Sequence, residues 1–187
     1  RSLRLKLVAL VVALVFAATL SASVFYEWLA FRALKEDVRT RAAFVASEIA
    51  FGINTVQELN SPGLLAVEIR NIVAARPTLQ WLDIYAVRPD GLITVASSRE
   101  ELPLHPSDLA LQAIAQGRTL TAAGIARGGE VWLAAAPVHI AGVPSGVVSL
   151  GLSLEGAERL TANLRQQLLV VLLEAGVTIV ASISLFA

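Results

Sequence analysis

The residues best suited to bind a ligand lie in one predicted β-strand and in the loop after its hairpin. Trp81, Asp83 and Tyr85 alternate along the segment WLDIYAV, which puts them on one face of that strand. Arg99 and His105 follow in the loop, where a cation can hold a carboxylate by charge-assisted hydrogen bonds. These residues predict a site for a small carboxylate. The alternative, in which the aromatic residues pack at a sheet edge and the loop cations are merely solvated, stays open.

A second group of candidate residues lies on the last strands of the chain. Ser149, Gly151 and Ser153 alternate on one face of the final strand, where small side chains leave space and two hydroxyls offer hydrogen bonds. Trp132, on the preceding strand, is expected to stack nearby. The predicted ligand-binding set is therefore Tyr85, Asp83, Arg99, His105, Trp132, Ser149 and Ser153.

The sequence has no converging set of reactive groups of the kind that an enzyme needs. It contains two His and no Cys, and it lacks an HExxH segment, a G-x-S-x-G turn and a glycine-rich phosphate loop. We therefore expect neither catalysis nor a bound metal or cofactor in this chain. Fifteen Lys and Arg balance fifteen Asp and Glu, so no basic surface points to nucleic acid.

Two apolar segments flank these candidate residues and explain why 56% of the chain is hydrophobic. Leu7–Tyr26 is uncharged over twenty residues, enough for a helix to span a hydrocarbon core of roughly 30 Å. Leu168–Ala187 is equally long and is interrupted only by Glu174. The sequence therefore predicts two transmembrane helices with a domain between them.

The basic residues Arg1, Arg4 and Lys6 precede the first apolar segment. Basic residues close to a span stay in the cytoplasm, so the N-terminus is expected inside and the central domain outside. The alternative is a cleaved signal peptide with its cleavage site near Ala22. An apolar run longer than the ~7–15 residues of a signal core favours the uncleaved span.

Glu174 is the one charged residue of the second apolar segment. A carboxylate in hydrocarbon is costly and is usually functional, and here it could hydrogen-bond across a dimer with Thr178 or Gln167. Alternatively, the span starts after Glu174, which then lies at the outer interface. Because the chain ends in or beside this apolar segment and contains no Met, we interpret it as a piece of a longer protein.

Between the apolar segments, the pattern begins with one long helix. No Gly or Pro occurs before Gly52, and we expect the helix to continue from Leu7 to about Asn60. A stripe of apolar residues follows it at spacings of three and four. The stripe consists of Phe31, Leu34, Val38, Ala42, Val45, Ile49, Ile53 and Val56. A second, shorter helix ends before Pro77.

The remainder of the domain is predicted to be a five-stranded antiparallel sheet with one short helix. The segment Arg88-Pro89-Asp90-Gly91 forms the turn of a hairpin, and Ser107 caps a helix that stops at Gly117. Three more strands are expected at about Thr119–Ala126, Val131–His139 and Gly146–Leu154. The face of the last strand with Val148, Leu150, Leu152 and Leu154 should pack against the long helix. The fold class is therefore α+β.

Two stretches carry a resemblance to a known family. LDIYAVRPDGLITVASS and AAAPVHIAGVPSGVVSLGLSLE resemble the first hairpin and the late strand pair of the extracytoplasmic PAS-like sensor domain called single-Cache. The resemblance covers nearly the whole chain from Leu7 to Ala187, and it is more specific for fold than for ligand. It implies a long N-terminal helix packed on a PAS-like sheet and flanked by transmembrane helices.

The resemblance further implies a sensory input module of a bacterial transmembrane receptor in the inner (cytoplasmic) membrane, with the sensor domain periplasmic or extracellular. A two-component sensor histidine kinase is the expected host, with diguanylate cyclases and chemoreceptors as other hosts. The expected layout is a basic flank and first span at 1–28, a sensor domain at 29–160, and a juxtamembrane segment with the second span at 161–187. A membrane-anchored adaptor or assembly protein is the alternative function.

The stripe on the long helix also predicts a parallel homodimer, because a single sheet is not expected to cover all of it. Val38, Val45 and Ile49 are the residues expected at that contact. The expected partners are thus the membrane, a second copy of the chain, and a small ligand such as a carboxylate or amino acid.

Overall fold

One helix, α1, runs from Ser2 to Gly52 and includes the first predicted span. The structure, a computed structural model, describes residues 2–99, 105–126 and 129–154 and the helical positions 166, 167, 170, 173, 174, 176 and 177. The part of α1 from Leu10 contains an 18-residue window of mean hydropathy 1.9, so by length and composition it can cross a membrane. The predicted second span lies outside the described residues, apart from those isolated positions.

The end of α1 lies at Gly52, which corrects the expectation of a helix continuing to about Asn60. Glycine is a poor helix former, and a new helix begins directly afterwards. Thr55 Oγ1 accepts a hydrogen bond from the Glu58 N–H at 3.1 Å, and the Glu58 carboxylate accepts one from the Thr55 N–H at 3.2 Å. This capping box starts the short helix α2, Val56–Leu59.

Two more helices and five strands complete the described part of the chain. They are α3 (Pro62–Ala75), β1 (Leu79–Arg88), β2 (Gly91–Ser97), α4 (Asp108–Gln116), β3 (Leu120–Ala126), β4 (Gly129–Ile140) and β5 (Val143–Ser153). As predicted, Ser107 caps α4 and Gly117 ends it in the left-handed conformation, at φ 62°. The chain divides into two compact units between Leu34 and Lys35, and the strands all belong to the unit Lys35–Gly156.

The strands form one antiparallel sheet in the order β2-β1-β5-β4-β3. This arrangement confirms the predicted fold class, a long helix followed by a five-stranded antiparallel PAS-like sheet. The last strand, β5, lies in the centre because it pairs with β1 on one side and β4 on the other. The strands β1, β5 and β4 therefore each have a neighbouring strand on both sides.

α1 and α3 cover one face of the sheet. Ala42 and Ala46 of α1 have no exposed surface, and they belong to the core cluster that α1 shares with the sheet. The predicted face of β5 with Val148, Leu150 and Leu152 belongs to the same core. The three residues predicted for the dimer contact, Val38, Val45 and Ile49, pack partly buried against this core.

The opposite face of the sheet carries a smaller cluster under α4. Ala110 and Ala113 of α4 are fully buried and pack against Tyr85, Ala135 and Val147 from the three central strands. Alanine at both helix positions lets α4 lie close to the sheet. Apart from Trp132, this second face holds the strand residues predicted to bind a ligand.

Candidate functional site

Cross-strand pairing brings the predicted residues of β1 and β5 together. The pairs are Trp81 with Gly151, Asp83 with Ser149, and Tyr85 with Val147. Directly opposed residues of an antiparallel pair share a face of the sheet. Because Tyr85 and Val147 pack under α4, all six residues lie on the face opposite α1.

Asp83 is the centre of the polar contacts on this face. Its side chain is 0% exposed, and Arg99 Nη2 donates a hydrogen bond to Oδ2 at 2.6 Å. Ser97 Oγ donates to Oδ1 at 2.6 Å, and the Tyr85 hydroxyl lies at 3.5 Å from Oδ2. A buried carboxylate needs such donors, because an unpaired charge in the interior is strongly destabilising.

Burial and hydrogen bonding act in opposite directions on the acidity of Asp83. Burial raises the pKa of Asp83 above its ordinary value, and it outweighs the hydrogen bond from Ser97 and the charge of Arg99, which lower it. Burial and the neighbouring Asp83 carboxylate also raise the pKa of Tyr85. Tyr85 therefore stays protonated at neutral pH and can act as a hydrogen-bond donor.

Arg99 is held from a second side by Trp81. Its guanidinium carbon lies 4.8 Å from the centroid of the Trp81 ring, a cation–π geometry. The ring rests on the backbone of Gly151, since a Cβ at that position would lie 2.5 Å from two ring atoms. Arg99 nevertheless has 43% of its side chain exposed. The site thus presents a guanidinium that is held by Asp83 and Trp81 and is partly exposed to solvent.

The structure places Trp132 away from this site, which corrects the expectation that it stacks beside the serines. In the β4–β5 ladder, Trp132 pairs with Leu152, and Ser149 pairs with Ala135. Side chains alternate along a strand, so Trp132 and Ala135 lie on opposite faces. Trp132 accordingly packs against the core under α1.

The remaining predicted residues lie outside the Asp83 cluster. Ser153 is half-buried at the end of β5, where its backbone N–H donates to the Thr78 carbonyl at 2.8 Å. His105 is exposed, ahead of α4, and residues 100–104 are not among those described. Glu174 occupies an exposed helical position, and its predicted partner Thr178 is outside the described residues.

Ser97 is a site residue that the sequence-based prediction missed. It lies opposite Asp83 in the β1–β2 hairpin, and its hydroxyl bonds both the Asp83 carboxylate and, as acceptor, the Arg99 backbone N–H at 3.0 Å. The signal was present in the hairpin, because pairing the strands outward from the turn brings the end of the VAS segment near Asp83.

The fold is that of PAS-like, single-Cache-type sensor domains. The sensor domain of E. coli DcuS matches with a TM-score of 0.55 at 16% sequence identity, over 70% of this chain and 98% of that domain. The sensor domain of the V. cholerae histidine kinase DctB matches with a TM-score of 0.54 at 12% identity, over 74% of this chain and 56% of that domain.

Chemoreceptor domains are similar in the same way. The ligand-binding domain of the Campylobacter jejuni chemoreceptor Tlp3, solved with L-norvaline, matches with a TM-score of 0.53 at 14% identity, over 79% of this chain and 63% of that domain. No protein-family model matches the sequence, and no curated protein does. The likeness at these identities defines the fold, which histidine kinases and chemoreceptors share.

Proposed function

We propose that this chain is the sensory input module of a bacterial transmembrane receptor and that the Asp83–Arg99 site binds its ligand. The observation that carries the proposal is the partly exposed Arg99, which is held by the buried Asp83 and by Trp81. These residues lie on the face of the sheet that α1 does not cover. Both contacts hold the guanidinium in one orientation while part of it stays exposed, which is the arrangement that binding a carboxylate in a fixed geometry requires. The fold of the histidine-kinase and chemoreceptor sensor domains supports the same function.

The proposed ligand is a small carboxylate or an amino acid. Among the described residues, only the Nη2 atom of the Arg99 guanidinium has a hydrogen-bond partner. The guanidinium carries five N–H donors in a planar fork, so the others remain for a carboxylate. The similar chemoreceptor domains were solved with GABA for PctC and with L-norvaline for Tlp3.

The signal is proposed to leave the domain through β5. Ser149 and Gly151 of β5 face the site, and the chain continues from this strand toward the predicted second span. A ligand that draws Arg99 away from Asp83 changes the contacts of β1 with β5. The resulting displacement of the second span relative to the first would transmit the signal to the cytoplasm.

A sensor histidine kinase is the proposed host, with a diguanylate cyclase or a chemoreceptor as the alternatives. The coding sequence that follows Ala187 separates these outputs directly. A membrane-anchored adaptor is the rival class of function, and it predicts no ligand at Arg99. A kinase, cyclase or methyl-accepting segment directly after the second span supports the sensory proposal.

We also propose that the chain acts as a parallel homodimer along α1. Val38, Val45 and Ile49 keep part of their surface exposed although they pack on the sheet, and Phe44 on the same helix is 68% exposed. Single Cys substitutions at these positions should give symmetric disulfide crosslinks in membranes. Crosslinks at none of the four positions would exclude a dimer with this contact.

A ligand screen with an arginine variant tests the proposed site. The chain in lipid nanodiscs is heated with small carboxylates and amino acids while tryptophan fluorescence is recorded. A ligand at a hundredfold excess over Kd stabilises the folded state by about 2.7 kcal/mol, which raises the melting temperature measurably.

The variant Arg99→Lys keeps the positive charge beside Asp83 but loses the planar fork and the stacking on Trp81. We expect it to fold and to lose most of the ligand-induced shift. Arg118→Lys is the matched control, because Arg118 is exposed and its guanidinium, among the described residues, donates only to Gln116 Oε1, at 2.9 Å. A shift that survives in Arg99→Lys, or a folded chain that responds to no compound, contradicts the proposed site.

A further inference from the structure

A cleft on the α1 side of the sheet is separate from the site described above. It lies between α1, α2 and α3 and has a volume of about 300 Å³, at the lower end of the size of small-molecule sites. Its floor is aliphatic. The floor consists of Ile49, Ile53, Leu65, Ile69, Ile72 and Ile84. Ile53, Leu65, Ile69 and Ile84 are buried, so the floor is part of the core.

The rim of the cleft carries an excess of negative charge. Glu48, Glu58 and Glu68 line it together with one cation, Arg76. The Arg76 guanidinium is paired through one nitrogen, since Nη2 lies 3.0 Å from Glu48 Oε2, while Nη1 is buried and has no hydrogen-bond partner among the described residues. Glu58 Oε2 accepts the backbone N–H groups of Asn54 and Thr55 at the start of α2.

Glu68 differs from the other two carboxylates of the rim. No described residue donates a hydrogen bond to it or forms an ion pair with it, and it is exposed on α3. A single available carboxylate above an aliphatic floor complements a molecule with one cationic end and one branched apolar end. An anionic ligand would meet three carboxylates against one guanidinium, so the net negative charge of the rim repels it.

From this geometry, we propose that the α1–α3 cleft binds a small aliphatic amine, with its ammonium group at Glu68 and its alkyl group on the isoleucine floor. The ammonium donates to the Glu68 carboxylate, a charge-assisted hydrogen bond. The alkyl group covers apolar surface of Ile49 and Ile72, the partly exposed isoleucines of the floor, which removes that surface from water. The cleft lies on the face opposite Arg99, so binding there does not depend on the carboxylate site.

Three isosteric probes separate charge from shape. They are 3-methylbutylamine, 3-methylbutanol and 3-methylbutanoate, added to the chain in phosphatidylcholine nanodiscs with isoleucine δ1-methyl labelling. The amine is expected to shift the NMR signals of the floor isoleucines in a saturable way. Ile125 of β3, which is 90% exposed and outside the cleft, is the internal reference and should not shift.

The amine should bind about tenfold more tightly than the alcohol, because the hydroxyl still donates to Glu68 but carries no charge. The carboxylate should not bind, because Glu68 repels it. Saturable shifts of the floor isoleucines that need about tenfold less amine than alcohol, with no shift by the carboxylate, support the proposal. Absence of those shifts, or equal binding of the amine and the alcohol, overturns it.

The variant Glu68→Gln keeps the size of the side chain and removes its charge. We expect it to weaken amine binding about tenfold while the methyl spectrum of the free chain stays unchanged. Glu36→Gln is the matched control, because Glu36 is an exposed α1 residue whose described ion-pair partner, Arg39, also lies outside the cleft. Equal Kd values for wild type and Glu68→Gln would assign the shifts to binding elsewhere.

Discussion

Asp83 combines two requirements that usually exclude each other, since it is fully buried and yet takes part in an ion pair. The site resolves this with short hydrogen bonds from Ser97 and Arg99, which replace the water that the carboxylate has lost. Asp83 is too enclosed to touch a ligand directly. Its role in the proposed site is to hold the Arg99 guanidinium in place over Trp81.

The raised pKa of Asp83 predicts a pH dependence of stability. The folded chain binds the proton of Asp83 more tightly than the unfolded chain does. The free energy of unfolding therefore falls as the pH rises from 3.8, the ordinary pKa of Asp, through the raised pKa of Asp83 in the folded chain. In Asp83→Asn this contribution is absent. In urea unfolding, the stability of wild type relative to Asp83→Asn should therefore increase as the pH is lowered from neutral toward 4. A relative stability that instead decreases on acidification would contradict the raised pKa.

Gly151 allows Trp81 to lie flat on the sheet, and this predicts the effect of adding one methyl group. In Gly151→Ala the new Cβ would lie 2.5 Å from the Trp81 ring, so the ring must move and its contact with Arg99 is lost. We expect a loss of about 1–3 kcal/mol of stability, as for other overpacked sites. Thermal unfolding followed by tryptophan fluorescence measures it.

Gly63→Ala is the control for that substitution. Gly63 lies in the first turn of α3, and an added Cβ there has no atom within 4 Å. Alanine also reduces the entropy of the unfolded chain, so this variant should be neutral or slightly more stable. Equal losses in the two variants would show that the Trp81 contact is not the cause.

Among the helices, α1 depends on small residues for its position against the sheet. Ala42, Ala46 and Ala50 repeat at four-residue spacing and are almost completely buried. Larger side chains at these positions would force the helix away from Val148 and Leu150. Arg39 Nε donates a hydrogen bond to Thr121 Oγ1 at 3.1 Å, which links the helix to β3.

The substitution Ala46→Leu tests this dependence. The larger side chain has no space between α1 and β5, so it should destabilise the domain by about 1–3 kcal/mol. Thr40→Leu is the control, because Thr40 is exposed on α1 and its hydroxyl bonds only the backbone carbonyl of Glu36. Urea unfolding at fixed pH compares the two. A fully stable Ala46→Leu would mean that α1 can shift on the sheet without cost.

Much of the domain could be predicted from the sequence because its turns have local causes. Pro89, Asp90 and Gly91 define the hairpin, and Ser107 with Gly117 bounds α4, as the structure confirms. The face of β5 that packs on the helix followed from its strict alternation. In each case, the residues within one turn or strand were sufficient.

Other features depend on contacts that no local pattern contains. The face on which Trp132 lies depends on how β4 pairs with β5. Which strands become neighbours depends on the strand order of the whole sheet. The end of α1 at Gly52 depends on competition with the capping box of Thr55 and Glu58. Arg99 and Asp83 were both predicted site residues, but a register shift between Ile84 and Tyr85 places Ser97, and with it the chain leading to Arg99, opposite Asp83.

The predicted orientation of the whole chain in the membrane can be tested because the sequence contains no Cys. The basic residues before the first span predict a cytoplasmic N-terminus and an outer position for the hairpin turn. Single substitutions Ser2→Cys and Asp90→Cys introduce one thiol on each side. In intact cells, a membrane-impermeant maleimide should label Asp90→Cys and leave Ser2→Cys unlabelled, and permeabilised cells should show labelling of both. Labelling of Ser2→Cys in intact cells would show that the orientation is the reverse of the predicted one. The Arg99 site would then lie in the cytoplasm, and the proposal of an extracytoplasmic sensor would be wrong.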